Sequence, residues 1–168
     1  MKRSLIIGIM GGGNATSDDL DRARRLGCLI AQNGWYLLNG GRDAGIMAAS
    51  AQGAAEQGGL TIGILPGNSA RQASPHITVP IITGLGNARN GINVLTSDVI
   101  VACPGGPGTL SEIALALKNV KPLITMGFSL KEIPGIHLDT SDLHAADTPE
   151  AVIEIIKRLL TTGRVLLC

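Results

Sequence analysis

The sequence predicts an α/β domain with a mostly parallel sheet and helices on both faces of that sheet. Two observations lead to this prediction: short, continuously apolar segments recur along the chain, and segments of helical periodicity separate them. An apolar run without polar alternation is typical of a strand buried on both sides, as strands of parallel sheets are. Strands that alternate with helices build βαβ units. The predicted layout is therefore Rossmann-like.

In the N-terminal half, the first strand is predicted at residues 4–10, where SLIIGIM is almost entirely apolar. A helix follows over 16–34, because Thr16 or Ser17 with the aspartates after it is a strong helix start. WYLLN gives a second strand, and 40–59 gives a turn and a helix of small residues. LTIGILP and HITVPIIT give the third and fourth strands.

In the C-terminal half, a short helix is predicted over residues 86–97, followed by the strand DVIVACP, a helix over 109–118 and the strand PLITM. Residues 126–146 are irregular, and we expect one additional short strand within them. The closing helix, in DTPEAVIEIIKRLL, begins with Thr148 as its cap and Pro149 in its first helical position.

Length and composition limit the classes of function. The chain has 168 residues, which suits one domain with a full core. It carries 14 basic and 13 acidic side chains and only three aromatic ones, so it has neither the charge excess nor the aromatic platform that nucleic-acid binding uses. No stretch approaches the roughly 20 apolar residues of a membrane helix. We therefore expect neither nucleic acid nor membrane as a partner.

The cysteines and the first residues predict a cytoplasmic setting. Cys28, Cys103 and Cys168 are widely spaced and form no CxxC pair, so neither a disulfide framework nor a metal site is predicted. The apolar run in MKRSLIIGIMGGG is short and ends in glycines without a small-residue cleavage site. It is therefore not interpreted as a signal peptide.

Three clusters of glycine follow predicted strands directly, which places them at the same rim of a parallel sheet. Ligands of such sheets bind beyond the carboxyl ends of the strands. Glycine lets backbone amides approach a ligand closely, and a helix that begins after the loop adds a partial positive charge. The clusters predict an anion cradle, although tight turns alone would also explain each one. They comprise Gly11, Gly12 and Gly13; Gly40 and Gly41; and Gly105, Gly106 and Gly108.

Two polar side chains near these clusters, Arg89 and Glu112, have two interpretations each. The guanidinium of Arg89 can grip a phosphate at two points, or it can be a solvated side chain on a helix surface. Thr109 and Glu112 have the spacing of a capping box, in which Glu112 would reach back to the cap; otherwise this carboxylate contacts the ligand. Asn14 is a candidate hydrogen-bond partner of the ligand. Arg42 and Arg71 are equal candidates for a second phosphate contact.

Three segments together resemble the SLOG superfamily of Rossmann-like proteins: GGRDAGIMAAS, GLGNARNGINVLTSDVIVACPGGPGTLSEIALALK and KPLI, in that order. This superfamily includes the LOG, or lysine-decarboxylase-like, cytokinin phosphoribohydrolases, whose hallmark is a P-G-G-x-G-T-x-x-E segment. Here that segment runs from Pro104 to Glu112. The resemblance covers nearly the whole chain and implies a single SLOG-type domain over residues 1–168.

The chain departs from the LOG enzymes at several motif positions. Those enzymes pair the motif glutamate with the arginine of an R-K-x-x-M sequence; Arg89 matches it, but Asn90 and Asn93 stand at the lysine and methionine positions. Pro107 replaces a residue that is usually aromatic, and Ser111 replaces a second glutamate. In these departures the chain is similar to the molybdenum cofactor carrier proteins of algae and cyanobacteria.

Similarity to that branch implies a non-catalytic carrier that binds and protects the molybdenum cofactor, a phosphorylated molybdopterin. It also implies a homo-oligomer, dimer or tetramer, with molybdoenzymes or cofactor-synthesis proteins as partners. Asn87, Asn90 and Asn93 are candidates to read pterin or purine edges, with contact to the neighbouring helix as the alternative for Asn93. Cys103 is expected in the core, with a molybdenum contact as the alternative. Under the hydrolase alternative, a nucleoside 5′-monophosphate phosphoribohydrolase, Arg89 and Glu112 would be catalytic. The residues expected to bind the cofactor are Gly11, Gly12, Gly13, Asn14, Gly40, Gly41, Asn87, Arg89, Asn90, Gly105, Gly106, Gly108, Thr109 and Glu112.

Overall fold

The computed structural model describes residues 3–130 and 143–165. Within them, seven strands form one sheet in the order β4-β3-β2-β1-β5-β6-β7, and each neighbouring pair is parallel. The predicted Rossmann-like α/β fold is confirmed. The strands are β1 (Ile6–Met10), β2 (Tyr36–Asn39), β3 (Thr61–Leu65), β4 (Val79–Ile82), β5 (Val99–Ala102), β6 (Leu123–Met126) and β7 (Leu143–Ala146). The helices are α1 (Ser17–Gln32), α2 (Gly45–Glu56), α3 (Asn90–Thr96), α4 (Pro107–Lys118) and α5 (Pro149–Thr161), and a short 3-10 helix, Gly86–Arg89, leads into α3.

The helices divide between the two faces of the sheet. The buried faces of α1, α2 and α5 share one hydrophobic cluster with alternate residues of the strands, among them Ile7, Ile9 and Leu37. Helices α3 and α4 belong to a second cluster on the opposite face, with Met10, Leu38 and Ile64 of the sheet. Side chains of successive strand residues point to opposite faces, so each strand contributes to both clusters.

The order of the strands reverses between β1 and β5. From β1 the chain proceeds outward through β2, β3 and β4, and it then returns to β5 on the other side of β1. At such a reversal, a crevice that can hold a ligand is expected beyond the carboxyl ends of the strands. The glycine clusters after β1, β2 and β5 surround this crevice.

Two helix starts are as predicted, and their caps explain them. The hydroxyl of Thr16 accepts a hydrogen bond from the backbone N–H of Asp19, and that of Thr148 accepts one from Ala151. Each contact satisfies a backbone donor that the first helical turn leaves unpaired. Pro149 occupies the first turn, as expected.

The predicted start of α4 is wrong. The helix begins at Pro107 with Gly106 as its cap residue, two residues before the predicted Thr109, and no described side chain caps it. The preset φ of proline suits the first helical position, and it extends the helix towards the glycines. Because Thr109 already lies inside the helix, it forms no capping box with Glu112.

The irregular segment 126–146 contains the additional strand that the sequence predicts, since β7 occupies its end. The rest of that segment from 131 to 142 lies outside the described residues, as does Cys168. Cys28 and Cys103 are free cysteines, and Cys103 is fully buried, as predicted. Across residues 3–130 and 143–165, no helix is long and apolar enough to span a membrane.

Candidate functional site

A cavity of about 220 Å³ opens at the carboxyl ends of β1, β2 and β5. It brings together parts of all three glycine clusters, the 3-10 helix and the first turns of α3 and α4. The lining residues are Ile9, Met10, Gly11, Gly12, Gly13, Gly40, Arg42, Met47, Asn87, Arg89, Asn90, Gly106, Pro107, Gly108, Thr109 and Glu112.

Gly12 and Gly105 allow the loops that follow β1 and β5 to pack directly against each other. The N–H of Gly12 donates to the carbonyl of Pro104 over 3.0 Å. A Cβ on Gly105 would lie 2.7 Å from the nitrogen of Gly12, and a Cβ on Gly12 would lie 3.1 Å from the Cα of Gly105. The two backbones therefore approach more closely than any residue with a side chain would allow.

Other glycines leave the cavity open instead of packing against protein. A Cβ on Gly106 or Gly108 would have no described atom within 4 Å, and one on Gly13 would make only ordinary contacts from 3.7 Å outward. Gly106 and Gly108 lie at the start of α4, where the first backbone N–H groups have no partner within the helix. These N–H groups and the positive end of the helix dipole favour an anion in the cavity.

Gly40 makes room for the guanidinium of Arg89. A Cβ on Gly40 would lie 2.6 Å from each terminal nitrogen of Arg89. Asn39 holds the turn in place: its side chain donates to the carbonyl of Met47 at 2.9 Å and accepts from the N–H of Gly41 at 2.8 Å. This positioning role of Asn39 is not predicted above; its signal in the sequence is a lone amide that ends an apolar strand and precedes two glycines.

Arg89 lies at the bottom of the cavity and is 9% exposed. One terminal nitrogen is 3.9 Å from the carboxylate of Glu112, while the Nε atom is buried without a hydrogen-bond partner among the described residues. Burial lowers the pKa of Arg89 and the charge of Arg42 adds to this effect, although the carboxylate of Glu112 opposes both. A buried guanidinium whose nearest carboxylate is 3.9 Å away is incompletely paired, and an anion in the cavity would pair with it.

Glu112 is held by a second helix as well as by Arg89. Its Oε1 atom accepts a hydrogen bond of 2.7 Å from the side-chain amide of Asn93. Burial raises the pKa of Glu112, and the hydrogen bond from Asn93 and the charge of Arg89 offset only part of that rise. Asn93 thus faces the neighbouring helix and is not among the residues that line the cavity.

The remaining predicted residues separate into those inside the lining and those outside it. Asn87 and Asn90 are inside, and the amide of Asn90 also donates to the hydroxyl of Ser111 at 2.7 Å. Of the residues expected to bind the cofactor, the lining also contains Gly11, Gly12, Gly13, Gly40, Gly106, Gly108 and Thr109; it further contains Ile9, Met10, Met47 and Pro107, which were not among them. Asn14, Gly41 and Gly105 lie outside it.

The structure places one of the two candidates for a second cationic side chain at the cavity and the other away from it. Arg42 lines the cavity, whereas the exposed Arg71 does not. Cys103 is also outside this lining, and burial raises the pKa of its thiol to about 12, so it stays protonated near neutral pH. Among residues 3–130 and 143–165, no three His, Cys, Asp or Glu residues cluster as metal ligands would. The site thus offers two guanidinium groups, free backbone amides and one buried carboxyl.

Known proteins share this architecture. The molybdenum cofactor binding protein from the phototrophic bacterium Rippkaea orientalis is 46% identical, with a TM-score of 0.83 over 94% of this chain and 98% of that one. The molybdenum cofactor carrier protein of Chlamydomonas reinhardtii is 42% identical, with a TM-score of 0.85 over 95% of this chain and 99% of that one.

A hydrolase of Mycobacterium tuberculosis is also similar over part of its length. The cytokinin riboside 5′-monophosphate phosphoribohydrolase is 35% identical over 96 residues, which are 56% of this chain and 51% of the enzyme. A family model covers far more, since the SLOG cluster4 model matches residues 4–153. The similarity to the SLOG superfamily that the motifs indicated therefore holds along most of the sequence, and this chain belongs to the SLOG cluster4 family.

Proposed function

We propose that this chain binds the molybdenum cofactor by its phosphate group and acts as a carrier that protects it. The observation that carries the proposal is the guanidinium of Arg89, which lines the cavity, is largely buried, and has its nearest carboxylate, that of Glu112, 3.9 Å away. A phosphate is an anion that a guanidinium binds through two hydrogen bonds. Two relatives of more than 40% identity, described as a binding protein and a carrier of this cofactor, support the proposal.

The phosphate has three kinds of partner in this proposal. Arg89 contacts it from the bottom of the cavity, Arg42 contacts it from the exposed rim, and backbone amides at Gly106 and Gly108 face it from the start of α4. Guanidinium groups form two parallel hydrogen bonds to a phosphate, and the helix end adds a favourable potential.

The size of the cavity suits part of the cofactor. At about 220 Å³ it is smaller than the 300 Å³ or more that sites for whole drug-sized ligands have. The phosphate and its nearest atoms occupy it in this proposal, and the pterin extends towards the mouth. Asn87, which is exposed and lines the cavity, is the amide best placed to meet a polar edge of the pterin.

The environment of Glu112 supports binding without turnover. One of the two oxygens of Glu112, Oε1, already accepts a hydrogen bond from Asn93 and is engaged within the protein. In the proposed carrier, the carboxylate of Glu112 lies beside Arg89 and positions its guanidinium.

Anaerobic gel filtration tests cofactor binding. The protein is incubated with molybdenum cofactor, and molybdenum content and pterin fluorescence are followed in the protein fraction. We expect co-elution with the wild type and with Arg71→Ala, whose arginine lies outside the cavity, and loss of co-elution with Arg89→Ala. Circular dichroism establishes that each variant is folded. Absence of co-elution with the wild type would refute binding, and equal retention by all three proteins would refute this site.

The carrier role needs a separate measurement, because a protein can bind a cofactor without protecting it. The half-life of the cofactor in air is compared with and without wild-type protein. A longer half-life with the protein is expected, since the surface that the cofactor buries against the protein is shielded from oxygen. An unchanged half-life despite binding would mean that the protein binds the cofactor without a carrier's protective role.

A second candidate is hydrolysis of a nucleoside 5′-monophosphate to a free base and ribose 5-phosphate. The observation in its favour is the pair of Arg89 and Glu112 in one cavity, 3.9 Å apart. In that reaction the phosphate would bind as above, and Glu112 would orient water or stabilise positive charge at the glycosidic carbon. Release of adenine from adenosine monophosphate, abolished in Glu112→Gln, would establish this activity; no release by folded protein would exclude it for that substrate.

A further inference from the structure

The contact between α3 and α4 borders the cavity with two hydrogen-bonded pairs of side chains. Asn90 and Asn93 lie one turn apart on α3, and each reaches α4 through its side-chain nitrogen. The nitrogen of Asn90 donates to the hydroxyl oxygen of Ser111 at 2.7 Å, and that of Asn93 donates to Oε1 of Glu112 at 2.7 Å. Of these four residues, Asn90 and Glu112 line the cavity.

Ser111 fixes the orientation of the Asn90 amide. The hydroxyl of Ser111 donates its one proton to the carbonyl oxygen of Gly108 at 2.7 Å, so it can only accept from Asn90. The amide nitrogen of Asn90 also lies 3.4 Å from the same carbonyl oxygen. A rotated amide would place its oxygen beside that carbonyl and would require Ser111 to give up its own hydrogen bond. Asn90 therefore keeps its nitrogen on α4 and directs its oxygen, Oδ1, away from that helix.

Two oxygen atoms, Oδ1 of Asn90 and Oε2 of Glu112, are acceptors that remain open to the cavity. Neither accepts a hydrogen bond from a described residue, and neither is among the described side-chain atoms that are fully buried without a partner. Because both residues line the cavity, these oxygens retain access to its space. Asn87 and Thr109, in the same lining, can each donate or accept, so they impose no such requirement on a ligand.

The donors of the cavity set a second requirement. Arg42 and Arg89 only donate hydrogen bonds, and α4 begins with free backbone N–H groups. An oxyanion without a proton suits these donors, but its lone pairs would face the lone pair of Oδ1. An oxyanion with one proton suits donors and acceptors alike. The two arginines and the carboxylate of Glu112 also sum to one positive charge, which matches a singly charged phosphate ester.

We propose that the cavity selects a phosphate that carries a proton, and that Asn90 rejects tetrahedral oxyanions that carry none. This inference rests on the proposed function and deepens it: the cofactor binds with its phosphate ester in the singly protonated form. Asn90 is the residue that determines specificity. Ser111 is outside the lining and acts through Asn90 as a positioning residue.

Inorganic phosphate and sulfate are matched probes for this selection. At pH 8 both are tetrahedral and mostly carry the same double negative charge, but only phosphate carries a proton. Their dissociation constants are measured by NMR titration of isotope-labelled protein at constant ionic strength, and shifts of the Gly106 and Gly108 amides place the anion at the cavity. The wild type is expected to bind phosphate at least about 10-fold more tightly, because sulfate leaves the acceptors unpaired.

Variants of the contact between α3 and α4 test the two roles. Asn90→Leu removes the acceptor at similar size and should lower the preference for phosphate at least about 3-fold. Asn119→Leu is the matched control, since it makes the same change at an exposed position at the other end of α4, outside the cavity. Ser111→Ala keeps Asn90 but lets its amide turn an N–H towards the anion, so sulfate should bind more tightly. Ser111 is exposed, so this variant provides the test if Asn90→Leu is unfolded by circular dichroism.

Equal dissociation constants of the two anions for the wild type would overturn the inference, as would absence of phosphate binding at tens of millimolar. A preference that the folded variants leave unchanged, or that Asn119→Leu lowers equally, would overturn it too. Co-elution of the cofactor with a wild type that does not distinguish the anions would refute this inference and leave the proposed function standing. Selection of phosphate without co-elution of the cofactor would refute the proposed function alone.

Discussion

At the scale of single residues, the buried carboxyl of Glu112 gives a pH dependence that can be measured. Burial raises its pKa in the folded chain above the ordinary value of 4.5. The folded state therefore keeps its proton to a higher pH than the unfolded state does. Stability from this group is largest below pH 4.5 and falls as pH rises from there through the folded pKa.

Glu112→Gln removes this titration while it retains a side chain of similar shape. We expect the free energy of unfolding of the wild type to fall relative to that of the variant as pH rises above 4.5. Urea unfolding of both proteins between pH 4 and 8 measures the difference, in which all other titrating groups largely cancel. A difference that is constant with pH, or a wild type that gains stability, would contradict the raised pKa.

The glycines after β5 differ in what a methyl group would do. Ala at position 105 would collide with the backbone nitrogen of Gly12, so Gly105→Ala should cost about 1–3 kcal/mol of stability. Ala at position 108 has open space and lies within a helix, where it is favoured over glycine by about 0.5–1 kcal/mol. Thermal unfolding of the two variants should therefore shift in opposite directions. A similar shift for both would mean that the close approach of the two loops is not needed.

At the scale of elements, α1 and α2 contact each other through their backbones. A Cβ on Gly53 would lie 2.7 Å from the carbonyl carbon of Arg24, and one on Gly27 would lie 2.9 Å from the nitrogen of Ala54. This contact fixes α2 beside α1, and α2 begins directly after the turn that supplies Gly40 and Arg42. The orientation of the cavity wall thus depends on two glycines that lie outside the cavity.

Gly53→Ala separates helix propensity from packing. Propensity alone would stabilise α2 by about 0.5–1 kcal/mol, whereas separation of the two helices should cost more than it gains. We expect a net loss of about 1–3 kcal/mol in the free energy of unfolding, measured by chemical denaturation. A variant more stable than the wild type would show that the helices separate freely.

Strands and helix starts can be predicted from the sequence where neighbouring residues alone determine them. The apolar strands and the caps at Thr16 and Thr148 depend on neighbouring residues alone, and the structure confirms them. The predicted start of α4 is wrong. Thr109 and Glu112 have the sequence spacing of a capping box, but in the structure Glu112 accepts a hydrogen bond from Asn93 of another helix. Contacts of this kind, between residues distant in sequence, leave no local pattern.

At the scale of the whole molecule, strand order decides which predicted residues meet. The glycine clusters were predicted to share one rim, and the reversal between β1 and β5 turns that rim into one cavity. The sequence alone could not show which of Arg42 and Arg71 lines the cavity, because each follows the carboxyl end of a strand. Nor did it distinguish Gly106, which borders the cavity, from Gly105, which packs against Gly12.

The measurement that tests the central claim most directly is the dissociation constant of the molybdenum cofactor for the wild type, Arg42→Ala and Arg71→Ala, determined by anaerobic titration. Both arginines are exposed, so both variants should fold, but only Arg42 lines the cavity. Loss of a charge-assisted contact should weaken binding by Arg42→Ala about 10-fold or more, with Arg71→Ala unchanged. No measurable binding by the wild type, or equal affinities of the two variants, would contradict the account.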